Sequence, residues 1–209
     1  MKLVLASNNA NKLAELQALF SGSGMELVTQ GSLGIAETEE PHDTFIENAL
    51  AKARHAARAS GLPAMADDSG LCVTALGGAP GVHSADYAGA VVATGDREAR
   101  RRAKDAANNN RLLRDMTGIA DRRARFVSIL VALRHAEDPE PLIAHGRWEA
   151  TLLDAPRGTG GFGYDPLVWI ESLGASVGEL SRAQKNAASH RALAAAQLSK
   201  LLRTAWPLA

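Results

Sequence analysis

Leu3-Val4-Leu5-Ala6-Ser7-Asn8-Asn9-Ala10-Asn11-Lys12-Leu13-Ala14-Glu15-Leu16-Gln17-Ala18-Leu19-Phe20 is the stretch that decides the fold class. Leu3 to Ala6 is an unbroken apolar run, as in a buried strand. Ser7 to Ala10 is a polar turn. Leu13, Leu16, Leu19 and Phe20 then recur at helical spacing, which predicts a helix over Asn11–Phe20. Ser21-Gly22-Ser23-Gly24 stops it. Strand, polar turn and helix in that order open an α/β fold, and ligands gather at such turns.

Outward from this unit the same logic continues. Leu27 to Gln30 reads as a second strand, followed by a loop with Glu37, Glu39 and Glu40. Thr44 and Glu47 form a capping box for a helix to Ser60, which Gly61 and Pro63 end. Ala64-Met65-Ala66 is a short strand that leads into Asp67-Asp68-Ser69-Gly70, and Leu71 to Leu76 is apolar enough for another. A charged, alanine-rich helix is predicted over Arg97–Met116. Phe126–Leu133 reads as a central strand, with His145–Leu153 as its partner after a long turn. The last helix is predicted over His190–Arg203. There is no internal repeat or linker, so residues 1–209 are expected to form a single domain.

Composition narrows the function. The chain has 209 residues, 46% of them hydrophobic, with 23 basic and 23 acidic side chains. That balance supplies no broad field for a DNA or RNA backbone, so no nucleic acid polymer is expected as a partner. The single cysteine, Cys72, forms no internal disulfide, which fits a reducing, cytoplasmic setting. The apolar run after Met1 is too short for a signal peptide, and no stretch reaches the ~20 residues of a membrane span.

Four constellations carry chemistry. Ser7-Asn8-Asn9-Ala10-Asn11-Lys12 places small polar residues and one cation at a helix N-terminus, where a phosphate is favoured; locally it also reads as an asparagine-rich cap with a solvated lysine. Asp67-Asp68-Ser69-Gly70 sits at the end of a strand. Alternation sends its two carboxylates to opposite faces, one toward a site and the other toward structure. Glu39, Glu40 and Glu47 are at hand to complete a magnesium site, although the capping box already accounts for Glu47, and an ordinary polar turn accounts for the aspartates. Gly158-Thr159-Gly160-Gly161-Phe162-Gly163-Tyr164-Asp165-Pro166 contains a G-x-G-x-x-G spacing but does not open a helix, which rules out a dinucleotide fingerprint. It reads as a flexible loop that presents Phe162, Tyr164 and Asp165, an aromatic ring for stacking and a carboxylate for a base edge, or as a tight turn with its rings in the core. Lys185 with Ser189-His190-Arg191 supplies donors for phosphate or a 6-oxo purine, or merely starts a helix.

Taken in order, these blocks resemble the inosine/xanthosine triphosphate pyrophosphatase family (RdgB-like enzymes). The resemblance rests on Ser7 to Lys12, Thr44-Phe45-Ile46-Glu47-Asn48-Ala49 with Lys52-Ala53, and Ala66-Asp67-Asp68-Ser69-Gly70-Leu71. It extends through Leu76-Gly77-Gly78-Ala79-Pro80-Gly81-Val82, Gly160 to Pro166, and Lys185-Asn186 with Ser189-His190-Arg191, and so covers nearly the whole chain. It implies an α/β fold with a long bent mixed sheet flanked by helices, two lobes with a central active-site cleft, and a homodimer. It implies that Ser7, Asn8, Asn9, Ala10, Asn11 and Lys12 grip the triphosphate and that Asp68 is the general base on or near Mg2+. Ser69 would touch substrate, and Phe162, Gly163, Tyr164, Asp165, Lys185, His190 and Arg191 would hold the nucleobase and nearby phosphates. The metal-binding glutamate is expected to be Glu40, with Glu39 or Glu47 as alternatives. Ala90 to Ala107 looks like added length and is expected to extend away from the cleft. Asp86 stands where many relatives have arginine.

The implied reaction is hydrolysis of XTP, ITP or dITP to the nucleoside monophosphate and pyrophosphate, which removes them from the nucleotide pool. Magnesium would neutralise the charge developing on the leaving pyrophosphate, Lys12 with nearby amides would add to that neutralisation, and Asp68 would orient or deprotonate a water aimed at the α-phosphorus. Two other readings are a broader nucleotide pyrophosphatase or phosphatase on the same fold, and a nucleotide sensor without catalysis.

Overall fold

The computed structural model describes residues 2–22 and 24–206. Met1 of the leader reading and Ser23 of the helix stop lie outside the described residues. Seven strands form one open mixed sheet in the order β2-β1-β3-β4-β5-β6-β7. The strands are β1 (Lys2–Leu5), β2 (Glu26–Thr29), β3 (Ala64–Val73), β4 (Arg123–Leu133), β5 (Leu142–Leu152), β6 (Val168–Ile170) and β7 (Ala175–Ser176). The helices are α1 (Ala10–Leu19), α2 (Phe45–Ser60), α3 (Arg97–Asp115), α4 (Arg182–Ala188) and α5 (His190–Ala205). β1 runs parallel to β2 and β3, whereas β6 is antiparallel to β5 and β7. The α/β class and the mixed sheet follow the sequence reading. No helix among the described residues is long and apolar enough to cross a membrane.

The contacts group into two compact units. The first comprises Met1–Asp68, Ser128–Arg147 and Ala188–Ala209. Its strands bury both faces, and alternation along β1 shows how. Leu3 and Leu5, with Met65, Leu130 and Ala132, pack on Leu16 of α1, on Phe20 just after it, and on Ala194, Leu198 and Leu202 from α5. Val4 and Ala6, with Ala64, Ala66, Val131 and Leu133, pack on Ala49, Ala53, Ala56 and Ala57 of α2. Small alanines on α2 bring its backbone close to the sheet, and side chains of successive strand residues therefore meet different helices.

The second unit comprises Ser69–Val127 and Trp148–Ala187 and contains α3 and the Gly158–Pro166 loop. Asn108 of α3 is buried. Its side-chain amide donates to the carbonyls of Ser84 and Ala85 and accepts from the Ala88 amide, which fixes the helix to the 84–88 segment.

One correction concerns β3. The sequence suggests a short strand, a polar turn at Asp67–Gly70 and a second strand. The structure has a single strand, Ala64–Val73, running through the three polar residues and Gly70. They are tolerated there because each aspartate meets cations, as described below. Gly70 is required by close approach, since a Cβ there would lie 2.4 Å from both the Gly81 carbonyl oxygen and the Ser84 hydroxyl.

Candidate active site

The first unit concentrates charge around the Asp67–Asp68 pair. Asp67 shares the sheet face of Met65 and so points toward α1 and α5. Its carboxylate receives the Lys12 ammonium at 3.0 Å, the Arg191 guanidinium at 3.2 Å and the Ser128 hydroxyl at 2.6 Å. Arg191 also binds Glu15 of α1 through its other terminal nitrogen. Burial alone would raise the Asp67 pKa, but Arg191, Lys12 and Ser128 outweigh it and hold the carboxyl well below the usual range. Asp67 is therefore a fixed anion that sets the Lys12 ammonium in place.

Asp68 points the other way, toward α2. Lys52 Nζ donates to Asp68 Oδ1 and to Glu40 Oε2, both at 2.8 Å. Asp68 Oδ2 is buried yet accepts no hydrogen bond from the protein. Burial pushes the Asp68 carboxyl up to about 6, with Glu40 adding to the rise, against the opposing pull of Lys52 and Lys12. Glu40 moves the opposite way, because the Lys52 ammonium overcomes the effect of its burial. Two adjacent carboxylates on one strand thus have opposite characters: one is saturated with donors, while the other keeps an oxygen in reserve and titrates nearer neutrality.

The predicted residues distribute as follows. Asn9 caps α1, its side-chain oxygen accepting from the amides of Asn11 and Lys12. The Asn9 amide donates to Ser7 Oγ and the Asn8 amide to Glu37. Several amides expected to face a phosphate are thus engaged in shaping the turn, which leaves Lys12 as its main electrostatic asset. Of the three glutamates, Glu40 is the one brought to Asp68. Thr44 caps α2 by accepting from the Glu47 amide, and Glu47 accepts from the Thr44 hydroxyl at 2.6 Å rather than from its backbone amide as a capping box would; Glu39 is exposed outside the cluster. Lys52 is a site residue that the sequence reading does not name, although its block belongs to the family resemblance. Its signal was a lysine beside Ala53 on the small-residue face of α2.

In the second unit, the Gly158–Pro166 loop does not present all the side chains expected of it. Tyr164 is buried and donates its hydroxyl to the Ser84 carbonyl at 2.9 Å. Asp165 is buried too, accepting from Lys185 at 2.6 Å and from the Phe162 amide at 2.8 Å. Of the three side chains Phe162, Tyr164 and Asp165, only that of Phe162 is half-buried rather than buried, and the Lys185 ammonium lies 4.4 Å from its ring centroid. Ser69 is half-buried in β3, and Lys185, His190 and Arg191 are all buried. Arg191, expected to touch substrate, instead binds carboxylates from α1 and β3.

The donor set around Asp68 suits a hard divalent cation. A buried carboxylate oxygen without a donor and the partly exposed Glu40 offer oxygen ligands, and such a cation takes one or two carboxylates together with water and phosphate. Glu15, Asp67, Asp68 and Glu40 face three cations, Lys12, Lys52 and Arg191, leaving a formal charge of −1 for added positive charge to offset. No group of three or more metal-ligating side chains occurs among the described residues, so any bound ion must take much of its shell from water and ligand.

The chain is similar to known proteins over nearly its whole length. The chain is 65% identical over 206 residues to a dITP/XTP pyrophosphatase of Methylibium petroleiphilum, covering 99% of each chain. It is 66% identical to one of Leptothrix cholodnii, covering 100% of each. Among solved structures, a HAM1 protein from Coxiella burnetii superposes with a TM-score of 0.87 at 41% identity, covering 98% of this chain and 99% of that one. The Ham1 family profile matches residues 3–201. From the strand that carries Asp67 and Asp68 to the helix that begins with His190 and Arg191, the chain belongs to the Ham1 family.

Proposed function

We propose that this protein hydrolyses abnormal purine nucleoside triphosphates, XTP, ITP and dITP, to the nucleoside monophosphate and pyrophosphate. The names of its relatives, dITP/XTP pyrophosphatases, support the substrate class. The observation that carries the chemistry is the Asp68 carboxylate, held through one oxygen by Lys52 and keeping the other without a donor. A base with a pKa raised to about 6 is ionised at neutral pH and still takes a proton readily.

In this reading Asp68 Oδ2 orients a water toward the α-phosphorus and accepts its proton. Lys52 fixes the Asp68 rotamer. Lys12, held by Asp67, binds phosphate oxygens and stabilises the charge that builds on the leaving pyrophosphate. The bond between the α- and β-phosphates breaks without a covalent intermediate. Asp68 and Glu40 would hold a magnesium ion, whose charge, when bound, offsets that of the triphosphate.

The Phe162 ring supplies a stacking surface for the purine. The Lys185 ammonium beside that ring supplies a donor that favours a 6-oxo base. An adenine amino group left facing a donor costs about 1–3 kcal/mol, which is roughly a tenfold to hundredfold preference. Residues 1–209 act as one pyrophosphatase domain, in keeping with a family match that spans residues 3–201. A cytoplasmic homodimer completes the proposal: the lone, buried Cys72 suits a reducing compartment, and the resemblance implies the dimer.

The test is a panel of purine triphosphates incubated with magnesium, with product identification. Monophosphate plus pyrophosphate, formed faster from ITP, dITP and XTP than from ATP or GTP, is the expected result. Diphosphate plus inorganic phosphate would overturn the proposal.

A further inference from the structure

Helix α3 meets the Phe162 loop in a regular way that the chemistry above does not use. Arg101, Asp105 and Asn109 recur every four residues and so lie along one face of the helix. Asp105 Oδ2 accepts from the Gly163 amide at 2.9 Å, and Asn109 Nδ2 donates to the Gly163 carbonyl at 3.0 Å. One helical turn earlier, the Arg101 guanidinium lies 5.9 Å from the centroid of the Phe162 ring. Gly163 has φ +62, a left-handed conformation that leaves its peptide groups without the partners of a helix or ladder. The helix provides those partners, and Asn108 anchors the helix in turn.

The expectation that Ala90 to Ala107 extends away from the site is corrected at this point. Residues 97–107 are the first half of α3 and include two of the three residues that track the loop.

We propose that Asp105 and Asn109 are positioning residues for base recognition: by clamping both groups of the Gly163 peptide they fix the pose of Phe162, with Arg101 steadying the ring. This rests on the reading that Phe162 stacks on the purine. Neither Asp105 nor Asn109 needs to touch substrate. Their effect is to pre-set a loop that would otherwise have to be ordered on binding, which weakens affinity. Losing one hydrogen bond of the clamp corresponds to roughly a fivefold to tenfold weaker interaction.

The experiment compares Asp105→Ala, Asp105→Asn and Asn109→Ala with the unaltered enzyme. Four quantities are measured: KM for ITP, kcat for ITP, inhibition by inosine monophosphate, and inhibition by inorganic pyrophosphate. Asp105→Ala and Asn109→Ala are each expected to raise KM about fivefold to tenfold, with kcat within twofold. Inhibition by the monophosphate, which carries the base, should weaken in parallel, whereas inhibition by pyrophosphate should not change. Asp105→Asn keeps an oxygen that accepts from Gly163 and should restore KM to within about threefold.

If Asp105→Ala lowers melting temperature and kcat while leaving KM and monophosphate inhibition unchanged, the clamp is only structural and the proposal fails. Equal loss of pyrophosphate inhibition also overturns it. If the unaltered enzyme releases no pyrophosphate from ITP, the functional reading itself has failed. Monophosphate binding, followed by calorimetry in the same variants, then decides the clamp separately: weaker binding in Asp105→Ala with recovery in Asp105→Asn supports it, and equal binding in all three refutes it.

Discussion

Replacing Asp67 and Asp68 one at a time by asparagine should give opposite results, although the residues are adjacent and the change is the same. Asp67 is a buried anion with Lys12, Arg191 and Ser128 directed at it. Its neutralisation leaves Arg191 and Lys12 facing less negative charge in a dry setting. Breaking a buried pair of this kind costs about 3–5 kcal/mol. At about 2–4 °C per kcal/mol for a chain of this size, the melting temperature should fall by about 6–20 °C.

Asp68 behaves otherwise. Its carboxyl is shifted from 3.8 to about 6, so holding it ionised costs the folded state about 3 kcal/mol at neutral pH. The sign follows from linkage. A raised pKa contributes stability that is fully present below the unfolded value near 3.8 and is lost as pH rises through about 6. Asp68→Asn removes this loss but also takes a partner from Lys52, so a net gain of about 1–3 kcal/mol at pH 7 is expected relative to pH 4, where the variant and the parent should match. Its kcat should fall by about a hundredfold to ten-thousandfold, the usual worth of a general base. The assay is thermal unfolding at pH 4 and pH 7 in chelator, paired with pyrophosphate release at pH 7.5 with magnesium. An Asp68→Asn protein that loses 3 kcal/mol at pH 7, or an Asp67→Asn protein as stable as the parent, would refute the division of labour.

Three further outcomes follow. Lys52→Met removes the ammonium shared by Asp68 and Glu40, and kcat for ITP should fall at least about a hundredfold; steady-state kinetics within tenfold of the parent would show that Lys52 does not hold the base. Gly70→Ala pushes a methyl into the Gly81 carbonyl and the Ser84 hydroxyl, and should destabilise by about 1–3 kcal/mol in urea unfolding; an unchanged midpoint would contradict the close approach. Asp67 has a lowered pKa, so its contribution is present above about 4 and is lost as pH falls through its folded value. The parent should therefore lose melting temperature on acidification below pH 4, and Asp67→Asn should show a flatter profile over that range.

The fold was legible in the sequence wherever periodicity was strong. α3 and α5 start where the spacing places them, and β1, α1 and α2 come within a residue or two. The misreading at Asp67–Gly70 has a definite cause. Three polar residues and a glycine in a row look like a turn unless the partners of the aspartates are known, and those partners, Lys12, Lys52, Ser128 and Arg191, lie 16 to 124 residues away. Alternation along the strand did foretell that the two aspartates face opposite sides. It could not say which would be saturated, because that depends on where α5 brings Arg191. The Phe162 loop was legible as a loop, but not the burial of Tyr164 and Asp165. Their anchors, the Ser84 carbonyl and Lys185, carry no local pattern. α3 was legible as a helix, and only the three-dimensional structure shows its Asp105 and Asn109 meeting Gly163.

The central claim is that Asp68 directs a water at the α-phosphorus. Hydrolysis of ITP in water enriched in oxygen-18, with mass spectrometry of both products after a single turnover, tests this directly. The account predicts one heavy oxygen in inosine monophosphate and none in pyrophosphate. Label in the pyrophosphate, with an unlabelled monophosphate, would place the attack on the β-phosphorus and contradict it.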